Sequence, residues 1–264
     1  MTSAGTPWFS RLLPLSQGLM AAGPLVALLV VAVLIALTVL LPSLLIRYVL
    51  APLAPGVTFC GSAAELELAL TIDDGPSGEG SDALLDLLGE LGVSATFFLI
   101  GSNLRRNPQF ARRAVAEGHQ LGNHLWVDSR SALLPRREFQ RQCDGTERRI
   151  RRSASPLTPP LHWLRPGGGW FHPPLLAWAA ARNYRLVLGS IFPWDTFRPP
   201  TWFQRWFILA NAHPGGILVL HDTPELNRQT LTTLGQVVPE LKQQGYRFVN
   251  LDSLSGPAGP GWSC

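Results

Sequence analysis

Apolar stretches of strand length alternate with amphipathic stretches of helix length along this chain, from residue 65 to residue 251. Leu66, Leu68, Leu70 and Ile72 fall on every second residue, the period of a strand with one face in a core. Ser81 and Asp82 then open a helix whose Leu84, Leu85, Leu88 and Leu91 share a face, and Gly92 closes it. Residues 93–100 form a largely apolar run, interrupted only by Ser94 and Thr96, as expected of a strand buried on both faces. Further strands are expected at 119–123, 161–166, 185–192, 216–222 and 247–251. Helices are expected after Asn107-Pro108 and over 136–152, 173–183, 201–212 and 228–245. Strands separated by helices pair through crossovers, which gives a parallel sheet with helices packed outside it. Seven such strands are enough for the sheet to close, or nearly close, into a (β/α) barrel.

Hydrophobic residues make up 46% of the 264 positions and charged ones only 15%, and the excess is local. Nothing from Leu12 to Ile46 is charged, and 25–41 is almost unbroken Leu, Val, Ala and Ile. A run of about 20 apolar residues can cross a bilayer. Residues 1–50 are therefore read as an N-terminal segment with a single transmembrane helix at about 24–46, bounded by Pro24 and Pro42. A cleaved signal peptide fits less well, because its apolar core is shorter and Ala51-Pro52-Leu53-Ala54 is a poor cleavage site. Arg11 and Arg47 flank the run on both sides, so charge barely sets its orientation. Residues 51–62 read as a linker, 63–254 as the folded domain and 255–264 as a flexible tail. The expectation is a membrane-anchored protein with its domain on the extracytoplasmic side.

The formal net charge is only +4. Much of the basic charge is concentrated in Arg136, Arg137, Arg141, Arg148, Arg149, Arg151 and Arg152. Such a run is usually the solvated face of a helix; the other reading is attraction to an anionic envelope polymer or lipid surface. No aromatic interleaving accompanies it, which argues against nucleic acid. Cys60, Cys143 and Cys264, odd in number and far apart, make neither a disulfide framework nor a zinc cluster.

Chemistry in α/β sheets collects at the carboxyl ends of strands, and the unusual residues here follow that rule. The first strand ends in Asp73-Asp74, and the third ends in His124, with Asp128 four residues on. The fourth runs into Arg165-Pro166-Gly167-Gly168-Gly169, the fifth into Pro193-Trp194-Asp195, and the sixth ends in His221-Asp222. Each has an ordinary reading: an acidic turn, a local hydrogen bond, a structural ion pair, a flexible glycine turn or a core histidine. Five strand ends bringing ionisable groups to one rim form a more specific pattern than any one of them. His119, His162, His172 and His213 are assigned to structure. The aromatics near these ends, Trp170 and Trp194 among them, serve either as packing or as stacking platforms for a ligand.

The order of these motifs resembles the polysaccharide deacetylase family, the NodB-homology domain of carbohydrate esterase family four. Thr71-Ile72-Asp73-Asp74-Gly75-Pro76 looks like its first motif, Gly122-Asn123-His124 its second, Arg165-Pro166-Gly167 its third and Leu220-His221-Asp222 its fifth, with Asp195 where the fourth falls. The resemblance covers about 65–254 and implies a distorted seven-stranded (β/α) barrel. It also implies removal of N-acetyl or O-acetyl groups from an acetylated glycan with one divalent metal, zinc first, with manganese, cobalt or nickel as alternatives. On that resemblance Asp74 and His124 bind the metal, Asp73 is the general base and His221 the general acid. Arg165 holds Asp73, Asp195 tunes the acid, and backbone N–H near Gly167 meets the oxyanion. Gly167, Trp170 and Trp194 would contact the sugar. The family's second motif has a histidine where Asp128 stands, so the implied shell is Asp74, His124 and Asp128, richer in oxygen than usual. Two other readings remain at this point: a glycan-binding or scaffold protein that has lost catalysis, and an amidohydrolase acting on a small or lipid-linked N-acyl compound.

Overall fold

The structure is a computed structural model that describes residues 13–157 and 161–255. The chain divides between Leu41 and Pro42 into two units. In its described part the first unit is one helix, Leu13–Leu40 (α1). Pro24 lies inside it instead of marking its start; one proline removes a single hydrogen bond, and the Leu- and Ala-rich flanks carry the helix through. Among the described residues no single helix is long and apolar enough to cross a membrane. The expected tail from residue 256 onward lies outside the described residues.

The second unit begins with Pro42–Leu45 (α2), a π-helical turn at Ile46–Leu50, and Ala51–Leu53 (α3). Among the described residues eight strands follow: Val57–Thr58 (β1), Glu67–Asp73 (β2), Thr96–Leu99 (β3), Gln120–Asn123 (β4), Trp163–Leu164 (β5), Arg185–Val187 (β6), Gly216–His221 (β7) and Arg247–Val249 (β8). Helix Glu79–Leu91 (α4) joins β2 to β3, and Gly101–Arg106 (α5) and Gln109–Ala116 (α6) join β3 to β4. Helices Arg136–Ala154 (α7), Pro173–Ala181 (α8), Thr201–Asn211 (α9) and Asn227–Gln243 (α10) make the later crossovers, and Leu251–Ser255 (α11) follows β8.

All pairings between strands are parallel, in the order β1-β6-β5-β4-β3-β2-β7. One edge of β2 pairs with β7 from Leu68–Gly216 to Asp73–His221. The other edge is shared, by β8 at Glu67 to Ala69 and by β3 at Thr71 to Asp73.

Two expectations are corrected here. Residues 51–62 are not a linker: β1 pairs with β6, and Val57, Phe59 and Cys60 are buried. The barrel has an eighth strand and is closed only by a single bridge, Ile191 to Leu218. The expected strand 185–192 breaks after Val187 because Gly189 takes φ +109°, a conformation open mainly to glycine. The chain then crosses to β7, where Ser190 and Ile191 donate to the Ile217 carbonyl.

The period of two along each strand divides the core. Leu68, Leu70 and Ile72 belong to the large cluster shared with the helices. Ala69 belongs to a smaller one with Phe98, Trp163, Val187 and Ile217, completed by Leu251 and Leu254 of α11. The second cluster fills the inside of the curl. Farther along β2, on the same side as Ala69, come Thr71 and Asp73, so the interior turns polar towards the carboxyl ends.

Candidate active site

Asp73 is 3% exposed and sits in register with His221 on one side and Phe98 on the other. Arg165, just past β5, donates from Nη1 to Asp73 Oδ1 at 2.7 Å and to Thr71 Oγ1 at 2.8 Å. Its Nε donates to the Val187 carbonyl at 3.3 Å, and the guanidinium lies 4.2 Å from the centre of the Phe98 ring. Thr71 Oγ1 in turn donates to the Leu218 carbonyl at 2.8 Å. Burial pushes the pKa of Arg165 down despite the charge of Asp73. Arginine nonetheless stays charged in proteins. Asp73 Oδ2 has no hydrogen-bond partner among the described residues, so one carboxylate oxygen is fixed and the other is free to take a proton.

Asp74 leaves the sheet at φ +71°, and Asn103 of α5 donates to its carbonyl at 2.7 Å. This turn separates adjacent carboxylates that a continuing strand would send to opposite faces. Asp74 Oδ1 lies 3.4 Å from His124 Nε2. The other ring nitrogen, Nδ1, is 2.7 Å from the Arg165 carbonyl. A carbonyl only accepts, so Nδ1 carries the hydrogen, and a neutral His124 turns its Nε2 lone pair towards the carboxylate. Two acceptors that face each other need a positive charge between them. Without a metal the proton supplies it. Burial alone would push His124 down, but Asp73 and Asp74 raise its pKa. Burial alone would push Asp74 up, but His124 and then His221 hold it low. A histidine whose second nitrogen is tied to a backbone carbonyl, beside a carboxylate, is also the usual dress of a metal ligand. The pair fits a divalent cation.

Asp128 is not brought to this pair. The i,i+4 alignment expected for it requires a helical turn, whereas the chain after His124 takes φ +64° at Leu125 and then bends, leaving Asp128 exposed. Among the described residues no group of three His, Cys, Asp or Glu side chains is placed to hold a metal ion.

His221 Nδ1 is 3.0 Å from Asp195 Oδ2, and the His221 backbone N–H donates to the same oxygen at 2.9 Å. Burial alone would lower its pKa. The Asp195 hydrogen bond and charge, with Asp73 and Asp74 behind them, raise it to about 9. His221 is therefore an imidazolium at neutral pH, with Nε2 able to donate.

Gly167 does not present its N–H to a ligand. That group donates to Ser131 Oγ at 2.6 Å, and a Cβ at this position would stand 2.1 Å from the Ser129 carbonyl oxygen. Trp170 is exposed, as are Phe197 and, more modestly, Trp194, while Trp163 and Phe207 are core. His119, His162, His172 and His213 each have local hydrogen bonds, to Ala95, Asp252, Leu175 and Ser190.

One residue that the sequence reading named at a strand end was given no role there. Asp222 is buried, its N–H donates to the Asp73 carbonyl at 2.9 Å, and its carboxylate accepts from Ser77 Oγ at 2.6 Å and from Ser81 Oγ. It ties the β2–α4 loop to the end of β7. The only signal was its place directly after His221. Beside this loop opens a cleft of about 430 Å³ lined by Ser77, Asn103, Arg106 and Thr223, among others.

A family model described as polysaccharide deacetylase matches residues 61–187. The peptidoglycan-N-acetylglucosamine deacetylase of Bacillus cereus is 34% identical over 199 residues, 74% of this chain and 70% of that protein. The chitooligosaccharide deacetylase of Sinorhizobium fredii is 33% identical over 187 residues, 67% and 86% of the two chains. The crystal structure of the Bc1960 peptidoglycan N-acetylglucosamine deacetylase in complex with 4-naphthalen-1-yl-N-oxidanyl-benzamide superposes with a TM-score of 0.72 at 31% identity, covering 77% of this chain and 94% of that one. The fold and these likenesses define a hydrolase acting on carbon–nitrogen bonds of linear amides. The chain belongs to the polysaccharide deacetylase family.

Proposed function

We propose that this protein removes acetyl groups from the N-acetylglucosamine units of a glycan, using Asp73 as base and His221 as acid. The relatives named for peptidoglycan and for chitooligosaccharides share that sugar, which supports the choice of substrate. The observation that carries the mechanism is the division of roles around Asp73. Arg165 fixes one carboxylate oxygen and the other is left open, while His221, held protonated by Asp195, lies beside it in register.

Asp74 and His124 would hold a divalent metal, zinc first, which when bound supplies Lewis-acid polarisation of the amide carbonyl and of water. Asp73 takes the proton from the attacking water. His221 Nε2 gives its proton to the amide nitrogen as the carbon–nitrogen bond breaks, which releases acetate and leaves a free amine on the sugar. Trp170 and Trp194 are exposed near the strand ends and supply faces for sugar rings.

We place the protein at a membrane through its apolar N-terminal segment, with the catalytic domain outside the cytoplasm. The exposed apolar side chains from Val26 to Val39 support an anchor. Cys60 is disulfide-bonded, and disulfides persist in oxidising compartments.

The test is acetate release from chitooligosaccharides and from N-acetylated glycan strands. Release is expected to stop on chelation, to return with a divalent metal and to be lost in Asp74→Ala and His124→Ala. Release that survives both chelation and Asp74→Ala rejects the mechanism. No acetate with any metal, from a protein that still binds the glycan, selects the non-catalytic reading that the exposed Asp128 favours.

The acid also predicts a pH response. A histidine acting as acid must be protonated, so kcat/KM is expected to fall as pH rises through about 9. Asp195→Asn removes the anion that raises the His221 pKa, so this alkaline limb moves to lower pH. A pH–rate profile of the two proteins decides it; an unmoved limb assigns the acid to another group.

A further inference from the structure

We propose that the face of α7 around Trp126 is a docking site for an anionic saccharide polymer, separate from the catalytic residues. Trp126 is half-buried and is seated in a slot made by two glycines. A Cβ on Gly101 of α5 would stand 2.4 Å from the indole, and one on Gly145 of α7 would stand 3.3 Å from it. Two adjoining hollows, of about 220 and 240 Å³, flank the ring. Arg148 lines both, and Arg149 and Arg152 line the first. Gly145, Arg148, Arg149 and Arg152 follow the three- and four-residue spacing of one helix face.

The charge on this face is uncompensated because the acids of α7 are engaged elsewhere. Glu138 is held by Arg141 and Gln142, Asp144 by Arg182, and Glu147 by Arg151 and Tyr184. Among the described residues Arg148, Arg149 and Arg152 make no ion pair. The result is a fixed aromatic face bordered by guanidinium groups. Sugar rings offer apolar C–H faces to an indole, and carboxylate or phosphate groups on the polymer offer planar, multidentate partners to arginine. A bilayer surface fits less well: membrane contact uses apolar side chains that protrude into lipid, and Trp126 is recessed between two helices.

The test measures binding of the full chain to polygalacturonate, to a poly(glycerol phosphate), to neutral dextran and to vesicles containing phosphatidylglycerol. Binding to polygalacturonate over dextran is expected, weakening steeply with salt; binding to the poly(glycerol phosphate), which has no sugar rings, without binding to polygalacturonate overturns the saccharide assignment. The combined variant Arg148→Gln/Arg149→Gln/Arg152→Gln is expected to lose affinity by at least about tenfold, since it removes three charge-assisted contacts. It should leave acetate release from a short, neutral chitooligosaccharide unchanged. The combined variant Arg112→Gln/Arg137→Gln/Arg228→Gln, with the same net charge, should bind like the parent. Equal loss in both variants reduces the effect to net charge and overturns the site. Vesicle binding without polymer binding overturns the saccharide assignment in favour of lipid. The binding readout does not depend on catalysis, so its failure is separate from failure of the deacetylase reading.

Discussion

Asp73→Asn is expected to lower kcat for acetate release by about 10²- to 10⁴-fold, the range for loss of a general base, with KM little changed. Asparagine keeps the shape of the side chain, and its amide oxygen can still accept from Arg165 Nη1, which holds Asp73 Oδ1 at 2.7 Å. What disappears is the second, unpartnered oxygen as a proton acceptor. Steady-state kinetics, with thermal unfolding to show that the variant is folded, test this directly. Activity within a few-fold of the parent assigns the base to another residue.

Arg165→Met is expected to destabilise the fold by about 3–5 kcal/mol, the usual consequence of breaking a buried ion pair from one side. Both partners are inside the curl, with side chains 3% and 4% exposed, so solvent screens neither. The loss arises chiefly from the Asp73 carboxylate left without its cation, and less from the missing arginine contacts. The double variant Arg165→Met/Asp73→Asn should therefore be more stable than Arg165→Met alone, which is non-additivity of coupled neighbours. Denaturant unfolding of the two single variants and the double measures it. A double variant as unstable as the sum of the singles shows that the arginine acts through packing on Phe98 instead.

Period and spacing made the α/β class readable, because strands buried on both faces are continuous apolar runs and helices carry a 3.6-residue stripe. Seven of the eight strands fall inside expected stretches. The eighth, β1, was hidden in Val57-Thr58, too short to show a period and surrounded by the Pro and Gly of a seeming linker. The strand-end rule located Asp73, Asp74, His124, Arg165, Asp195 and His221, and it did so because parallel strands all point their carboxyl ends the same way. It could not say what each backbone does past the last strand residue. Asp128 is turned out to solvent by the left-handed conformation at Leu125, and the Gly167 N–H is taken by Ser131, 36 residues away. Asp222 was named at its strand end but given no role, for a related reason: its partners Ser77 and Ser81 lie more than 140 residues away in the chain.

The doubly used edge of β2 bears on when the protein can lose its chemistry. This strand is bonded by β7 along one side and by β8 and β3 in succession along the other. Local breathing in folded proteins begins at frayed ends and loops and reaches such fully paired strands only with global opening. The strand that delivers Asp73 is therefore among the last parts of the fold to open. The backbone at Asp73 is thus held from both sides, and its position is lost only when the sheet itself opens.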